Sequence, residues 1–518
     1  MTKLCVPITA TTVKRMRDDV RCAAAAGADM VELRLDFLDE LDGDAIIREL
    51  LTDRPLSVIV TCRIPEEGGH YDGDESNRIS LFEKVGLAGP DFIDVELAAW
   101  QKSANIRQKI GLVADVNADS TRPRHRLILS SHDFDKTPAE LDAAYKAMTD
   151  TPCHVAKLVG KANSLHDNLR MFDALRTAKA TKPAIGLCMG EQGLLSRVLA
   201  RKFGAELTFA SLAAGTESAS GQLTVEQMLN LYRWKTIDED TQVYGVVGHP
   251  LGHSMSPAIH NASFEATGIN AVYLPLLIDP AYEAFAEFFD GCRSRPWFGL
   301  GGASVTIPHK LNALKYVGEI IEPLAQRIGA VNTLILEGDT VRGINTDYVG
   351  ALDALTGAMG CDRSDLHGSR VAVLGAGGAS RAIVAGLVDS GCAVTIYNRT
   401  IDKAAALAQT FDAEVAQWSD RQTMDAEIVV NTTSVGMHPN ENDSPLPVDA
   451  IRPGMVIFDT VYNPIDTQML RDAKQAGCQT VDGVAMFVNQ AVAQFEAWTH
   501  EKAPVDTMQR IVLEHLGT

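Results

Sequence analysis

Short apolar runs recur along the first two hundred residues with helical periodicities between them. They cover Leu4 to Thr9, Met30 to Leu35, Ser57 to Arg63, Phe92 to Leu97, Arg126 to His132, His154 to Val159, Ala184 to Met189 and Glu206 to Ala210. Runs this short, rich in β-branched residues and lacking strict alternation, read as strands buried on both faces of a parallel sheet. Eight of them separated by helices predict a (β/α)8 barrel. An amphipathic helix over Val225 to Trp234 closes this half. The polar, acidic stretch Lys235 to Gln242 reads as a linker, short enough to keep the two halves at high effective concentration.

The pattern then changes. Tyr244 to Gly248 reads as a strand, and a helix starts at Pro257 behind Ser254 and Ser256, two hydroxyls that could serve simply as caps. Val371 to Leu374 is a buried strand that runs into Gly375-Ala376-Gly377-Gly378-Ala379-Ser380-Arg381 and an apolar helix. This is a dinucleotide turn in its required strand-turn-helix setting, with Ser380 in place of the third glycine. The next strand, Ala393 to Tyr397, ends in Asn398-Arg399-Thr400. An acidic residue there would suit the ribose hydroxyl of NAD, whereas arginine and threonine suit the 2′-phosphate of NADP. NADP is therefore the expected cofactor. The predicted fold is α/β throughout: a barrel over 1–232, a catalytic domain over 243–347 completed by helices in 485–518, and a Rossmann-type NADP domain over 348–484.

Composition narrows the partners. At 46% hydrophobic and 22% charged residues the 518-residue chain is of ordinary globular type, long enough for about three domains. A net charge of −20 argues against nucleic acid or an anionic membrane as a partner. No run of about 18 apolar residues suggests a membrane span. The residues after Met1 already read as a strand, so no leader is expected. Nine scattered cysteines without a Cys-x-x-Cys pair suggest neither disulfides nor a metal site, and a cytoplasmic location follows.

Candidate chemistry gathers at the C-terminal ends of the barrel strands, where barrel enzymes carry their active sites. Lys157 stands inside an apolar run. Its ammonium could reach water or a carboxylate along its stem, or desolvation could lower its pKa and leave an amine able to attack a carbonyl. Glu32-Leu33-Arg34 ends the second strand, Arg63 the third ahead of Glu67-Gly68-Gly69, and Ser131-His132-Asp133 the fifth. Arg197 follows the seventh strand and Ser218 to Gln222 the eighth. In the second half Lys310 follows the run Ser304-Val305-Thr306-Ile307-Pro308-His309. Asn332 and Asp347 close two further strands, a set suited to binding a polyhydroxylated ring and passing a proton.

In this order the barrel motifs resemble type I 3-dehydroquinate dehydratases over about residues 1 to 232. The resemblance implies that Lys157 forms a Schiff base with the substrate ketone. His132 would serve as general base and then general acid, with Glu32 orienting it. Arg197 would hold the substrate carboxylate, and Arg34, Arg63, Ser218 and Gln222 its hydroxyls or carboxylate; Glu67 reads as part of a mobile loop. Residues 243 to 518 resemble shikimate dehydrogenases through His253-Ser254-Met255-Ser256-Pro257, Val305 to Lys310, Ala330 to Thr333, Asn345-Thr346-Asp347, the cofactor turn, Asn431 to Ser434, Asp459 to Pro464, and Met486 with Gln490. This implies Lys310 and Asp347 as the catalytic pair, and Ser254, Ser256, Thr306, Asn332, Tyr462 and Gln490 as substrate ligands. Thr432 and Met486 would join the cofactor turn around the dinucleotide. Ser304 stands where many members have asparagine and is left out of this set.

Together the two resemblances imply consecutive reactions, from 3-dehydroquinate through 3-dehydroshikimate to shikimate, in a chain compatible with a homo-oligomer. The alternatives are a dehydrogenase half acting mainly on quinate and a non-catalytic quinate sensor built from such enzymes. Intact Ser256 and Thr306 favour shikimate over quinate. The presence of Lys157, His132, Lys310 and Asp347 argues against the sensor.

Overall fold

A computed structural model describes the chain over 1–518 except residues 103, 115–124, 253 and 518. His253 of the serine motif thus lies outside the described residues. The chain forms two compact units, Met1–Gln242 with Leu276–Gly299, and Val243–Pro275 with Leu300–Thr518.

In the first unit the eight apolar runs are strands: β1 Lys3–Ile8, β2 Met30–Arg34, β3 Ser57–Thr61, β4 Phe92–Glu96, β5 Arg126–Asp133, β6 Val155–Lys161, β7 Ala184–Met189 and β8 Leu207–Phe209. All neighbours pair in parallel in the order β7-β6-β5-β4-β3-β2-β1-β8. The Glu206 N–H donates to the Ala184 carbonyl and brings the two edge strands together, so the sheet closes as a barrel. Side chains such as Met30, Ile59, Phe92, Ile128, Val155 and Ile185 fill its interior. Glu32, Arg34, Thr61, Asp94, Glu96, Ser130 and His132 lie from the middle of their strands to the C-terminal ends, the side on which barrel chemistry is carried.

Two segments differ from their sequence-based reading. The helix expected over Val225 to Trp234 starts at Val225 but ends in a π-helical turn at Gln227–Leu231, and a 3-10 turn at Trp234–Thr236 follows Arg233 at φ 47°. The following stretch is no free linker: Lys202 Nζ donates to the carbonyls of Glu239 and Thr241, both at 2.8 Å. Leu276–Gly299, read as part of the second half, packs with the barrel. Phe298 meets Phe172 and Phe203, Arg176 lies 4.3 Å from the Trp297 ring, and Arg295 pairs with Asp173 at 2.7 Å.

The second unit holds two sheets. The first is mixed, with order β10-β9-β11-β12-β13 over Gln242–Gly248 (β9), Ala271–Leu277 (β10), Leu300–Val305 (β11), Thr333–Glu337 (β12) and Thr340–Ile344 (β13). The second is parallel, with Arg370–Leu374 (β14), Ala393–Asn398 (β15), Glu414–Gln417 (β16), Ile428–Asn431 (β17), Val456–Asp459 (β18) and Gln479–Val481 (β19) in the order β16-β15-β14-β17-β18-β19. That is the doubly wound order with its switch point beside β14, where dinucleotides bind. The helices Thr346–Met359 and Gly483–Thr499 pack so closely that a Cβ at Gly350 would meet the backbone of Gln490 at 2.7 Å. Among the described residues no helix is long and apolar enough to cross a membrane. All nine cysteines are free thiols.

Two candidate active sites

In the barrel, one cavity is lined by Glu32, Arg34, Arg63, Glu67, His132, Lys157, Arg197, Ser218 and Gln222 together with Phe134 and Phe209. Lys157 is the third residue of β6 and only 4% exposed. Its Nζ lies 2.8 Å from Asp94 Oδ2, 3.5 Å from Glu32 Oε1 and 4.8 Å from the Phe209 ring centre. Asp94, on β4, also accepts from Arg63 Nη2 at 2.8 Å and Ser130 Oγ at 2.6 Å. Although burial opposes the charge, the Arg63 guanidinium and the Lys157 ammonium hold the Asp94 carboxyl far below the usual carboxylate range. Sequence reasoning passed over Asp94. Its signal was an acid pair two residues apart, Asp94 and Glu96, inside an apolar strand.

The expected pairing of Glu32 with His132 is replaced by another. Glu32 accepts from Thr61 Oγ1 at 2.8 Å and faces Lys157, while His132 Nδ1 lies 2.8 Å from Glu67 Oε2, which also accepts from the His132 backbone N–H at 3.1 Å. With Glu67 ionised, the ring bond puts the imidazole proton on Nδ1 and leaves Nε2 without one. Two glycines make this reach local: a Cβ at Gly68, φ 75°, would strike the Phe134 ring at 2.1 Å, and one at Gly69 the Arg63 carbonyl at 1.9 Å. Burial, with Arg63 and Lys157 nearby, pushes His132 well below its ordinary value, so the ring is neutral. Burial also raises Glu67 to about 7.

The arginines divide. Arg34 holds Asp36 through two bonds of 3.0 and 2.7 Å, and Arg63 is paired with Asp94 and Glu96. Arg197, from the short helix Leu194–Val198, is buried with its Nε unpartnered, and burial lowers it to about 10. Among the described residues no carboxylate faces it. A guanidinium in that state calls for an anion from outside. Ser218 and Gln222 satisfy each other, the Ser218 N–H donating to Gln222 Oε1 at 2.9 Å.

The second unit has its own cavity of roughly 550 Å3, lined by Ser254, Ser256, Ser304, Thr306, Lys310, Asn332, Asp347, Ala379, Tyr462, Met486 and Gln490. Lys310 opens the helix Lys310–Val317, and its Nζ lies 2.5 Å from Asp347 Oδ2. Asn332 Nδ2 donates to Asp347 Oδ1 at 2.8 Å, and the Asn345 side chain caps the helix that begins beside Asp347, so the carboxylate is fixed from both sides. Asn332 is itself held: its Oδ1 accepts from the Thr346 N–H and Thr333 Oγ1, and Gln494 Nε2 donates to that hydroxyl at 3.1 Å. Ser304 Oγ is bonded to the hydroxyl of Tyr273, a buried tyrosine the sequence did not single out. Tyr462, 40% exposed, stacks on Phe487 at 5.3 Å.

The turn after β14 fits a pyrophosphate. Gly375 has φ 115° and a Cβ there would lie 2.6 Å from Thr432 Oγ1, while Cβ atoms at Gly377 and Gly378 would enter open space in front of the helix Gly378–Asp389. Ser380 Oγ accepts from the Gly377 N–H at 2.9 Å and bonds Thr432 Oγ1 at 2.6 Å. Thr432, which also donates to the Leu374 carbonyl, therefore braces the turn from behind. Asn398 ends β15, and Arg399 and Thr400 follow it, exposed, with no carboxylate among the three. That donor set suits a 2′-phosphate. Lys403, one turn into the next helix, adds a cation that the sequence reading missed.

Family models match in the same order: type I 3-dehydroquinase over residues 4–239, shikimate dehydrogenase substrate binding domain over 246–334, shikimate / quinate 5-dehydrogenase over 360–460, and shikimate 5′-dehydrogenase C-terminal domain over 483–513. The chloroplastic bifunctional 3-dehydroquinate dehydratase/shikimate dehydrogenase of Arabidopsis thaliana is 36% identical, covering 99% of this chain and 84% of its own. The shikimate dehydrogenase (NADP(+)) of Haloarcula marismortui is 44% identical over 53% of this chain and 99% of its own. Among solved structures, the dehydroquinate dehydratase and shikimate dehydrogenase from S. pombe AroM is 25% identical, with TM-score 0.45, over 99% of this chain and 98% of that one. The shikimate 5-dehydrogenase of Thermus thermophilus in complex with NADP(H) and shikimate is 33% identical, with TM-score 0.47, over 53% of this chain and 100% of that one.

Proposed function

The chain belongs to the family of bifunctional 3-dehydroquinate dehydratase/shikimate dehydrogenases, and from that premise we propose how its residues divide the two reactions. It is a 3-dehydroquinate dehydratase and an NADP-dependent shikimate dehydrogenase. The observation that carries the dehydratase assignment is a buried lysine on a barrel strand beside a neutral histidine and an arginine without a carboxylate.

In the dehydration, Arg197 binds the carboxylate of 3-dehydroquinate, and Ser218 and Gln222 line the mouth. Lys157 attacks the ketone and, with loss of water, becomes an iminium that draws electrons from the neighbouring carbon. His132 Nε2 takes the proton released there, and Glu67 steadies the imidazolium through Nδ1. The same proton then leaves with the departing hydroxyl, forming the ring double bond, and hydrolysis of the iminium frees 3-dehydroshikimate and Lys157.

In the reduction, Ser254, Ser256, Thr306, Asn332, Tyr462 and Gln490 surround the ring and its carboxylate. Lys310 and Asp347 face the reacting oxygen and supply its proton as negative charge develops there. Gly375 to Ala379 would receive the pyrophosphate of NADP, Arg399, Thr400 and Asn398 its 2′-phosphate end, and Met486 its nicotinamide side. When bound, the cofactor supplies the hydride.

The partners on this reading are small molecules, 3-dehydroquinate, 3-dehydroshikimate and shikimate. The charge of −20 disfavours nucleic acid and anionic membranes. The free thiols support a reducing compartment such as the cytoplasm, although the Arabidopsis relative is named chloroplastic. The test is to give the purified chain 3-dehydroquinate and then NADPH, following the product enone and the cofactor separately. Enone formation followed by NADPH consumption is expected; NADPH oxidised before any enone forms would overturn the order.

A further inference from the structure

Asp347 is the second residue of the helix Thr346–Met359, and a single carboxylate holds the chain on both sides of it. Glu322 Oε2 accepts from the Asn345 backbone N–H at 3.3 Å, two residues before Asp347. Glu322 Oε1 accepts from the Tyr348 hydroxyl at 2.5 Å, one residue after it. Burial, with the Glu322 carboxylate beside it, pushes the Tyr348 phenol above its ordinary value, so the phenol keeps its proton and is the donor. Tyr348 is seated in turn against the helix Gly378–Asp389, where a Cβ at Gly386 would lie 3.2 Å from Tyr348 Cβ.

Glu322 is itself anchored. Its N–H donates to the Gly343 carbonyl of β13 at 3.0 Å, and it caps the helix Pro323–Ile328, whose Leu324 and Ile328 share a core with Ala382 and Ile383 of the helix behind the cofactor turn. The Ile328 carbonyl accepts from Arg381 Nε of that same helix. Four residues further on, Asn332 Nδ2 donates to Asp347 Oδ1 at 2.8 Å. The segment from Glu322 to Asn332 therefore meets the aspartate twice: Asn332 holds the carboxylate, and Glu322 holds the turn that carries it.

We propose that Glu322 and Tyr348 are positioning residues for the reduction, fixing the turn Asn345 to Tyr348 so that Asp347 Oδ2 meets Lys310 Nζ at the reacting oxygen. This deepens the reading of Lys310 and Asp347 given above and rests on it. Neither Glu322 nor Tyr348 is among the residues that line the substrate cavity, so their effect falls on the geometry of the chemical step and not on substrate binding. The turn needs two hydrogen-bonding contacts from position 322, not a charge. A glutamine there can accept the Asn345 N–H on its oxygen and donate an amide N–H to the Tyr348 oxygen, whereas an alanine can do neither.

The experiment measures steady-state reduction of 3-dehydroshikimate by NADPH in the full-length chain and in E322A, E322Q, Y348F and the double variant E322A/Y348F. NADPH bound per chain is titrated alongside, because an unfolded fraction would lower it and a displaced turn would not. For E322A the expected result is kcat lowered about thirtyfold, KM for 3-dehydroshikimate changed by no more than about twofold, and undiminished NADPH stoichiometry. Y348F should lose about fivefold in kcat, and the double variant no more than E322A, since the hydroxyl acts through Glu322. E322Q should bring kcat back to within about threefold of the unsubstituted chain. Unchanged kcat in E322A, a rise in KM without a fall in kcat, or E322Q as impaired as E322A would overturn the assignment. Should E322A misfold, Y348F, which removes only a hydroxyl, decides: undiminished kcat there overturns it. An Asp347→Asn variant with undiminished kcat would instead refute the reading of the Lys310–Asp347 pair itself.

Discussion

Each half of this chain centres on a lysine beside an aspartate, and the two pairs are built in opposite ways. Lys157 is 4% exposed in the middle of a barrel strand, and its partner Asp94 is fully buried and bonded to an arginine and a serine. Lys310 is 33% exposed at the first turn of a helix, and Asp347 is 18% exposed. The difference fits the chemistry proposed for each. A lysine that becomes part of a covalent intermediate must shed a proton and then hold a charge, so its surroundings supply a water-poor site and a counter-ion. A lysine that only hydrogen-bonds a carbonyl oxygen can work at the wall of an open cleft, because the dinucleotide carries the difficult step.

The sharpest way to break that contrast is to remove one lysine at a time. Lys157→Ala is expected to lower dehydration by roughly 10⁴-fold or more, the scale of losing a nucleophile, while reduction of 3-dehydroshikimate continues; separate enone and NADPH assays check this. Loss of both activities would mean that the sites are not independent. Lys310→Ala should lower kcat for reduction by about 10³-fold, with dehydration unchanged, as expected for removal of one group that stabilises developing charge.

Glu67 sharpens the contrast through pH. Its carboxyl is raised to about 7, so below that pH it is protonated and cannot steady the His132 imidazolium. Dehydration is therefore expected to fall as pH drops through about 7, and reduction to show no limb from this source. Glu67→Gln should remove the limb and lower dehydration about 10²-fold at pH 8, measured as kcat/KM against pH. The same shift affects stability with a definite sign. The folded barrel holds a proton on Glu67 between the ordinary carboxylate range and about 7, so this group disfavours the fold increasingly as pH rises through that window. Thermal melts of Glu67→Gln should show less loss of stability from pH 5 to pH 8 than the unsubstituted barrel. The smallest effect is at the cofactor. Arg399→Asp should shift preference from NADPH toward NADH by about tenfold or more, the size of one lost charge-assisted hydrogen bond, and an unchanged preference would place the 2′-phosphate elsewhere.

Much of this architecture is legible in the sequence because burial on both faces leaves strands as uninterrupted apolar runs. The limits of β7 coincide with its run, and those of the other barrel strands differ from theirs by one or two residues. Lys157 stood out for the same reason, as the only charge within its own run, His154 to Val159. What was not legible depended on distance along the chain. Glu67 meets His132 across 65 positions and Lys157 meets Asp94 across 63, and no local spacing announces either pair. A loop with two glycines therefore read as mobile, although those glycines are what allow it to close on Arg63 and Phe134. Arg197 looked like the other arginines, and only the structure separates it from Arg34 and Arg63, whose charges are already paired. Leu276–Gly299 gave no local sign that Trp297 and Phe298 face barrel aromatics.

The contrast between the two lysines meets its most direct test in one ketone, 3-dehydroshikimate, the product of one site and the substrate of the other. The full-length chain is incubated with it and borohydride, digested, and the modified peptides are identified by mass. The account predicts a reduced adduct on Lys157 and none on Lys310. An adduct on Lys310, or none on Lys157, would contradict it.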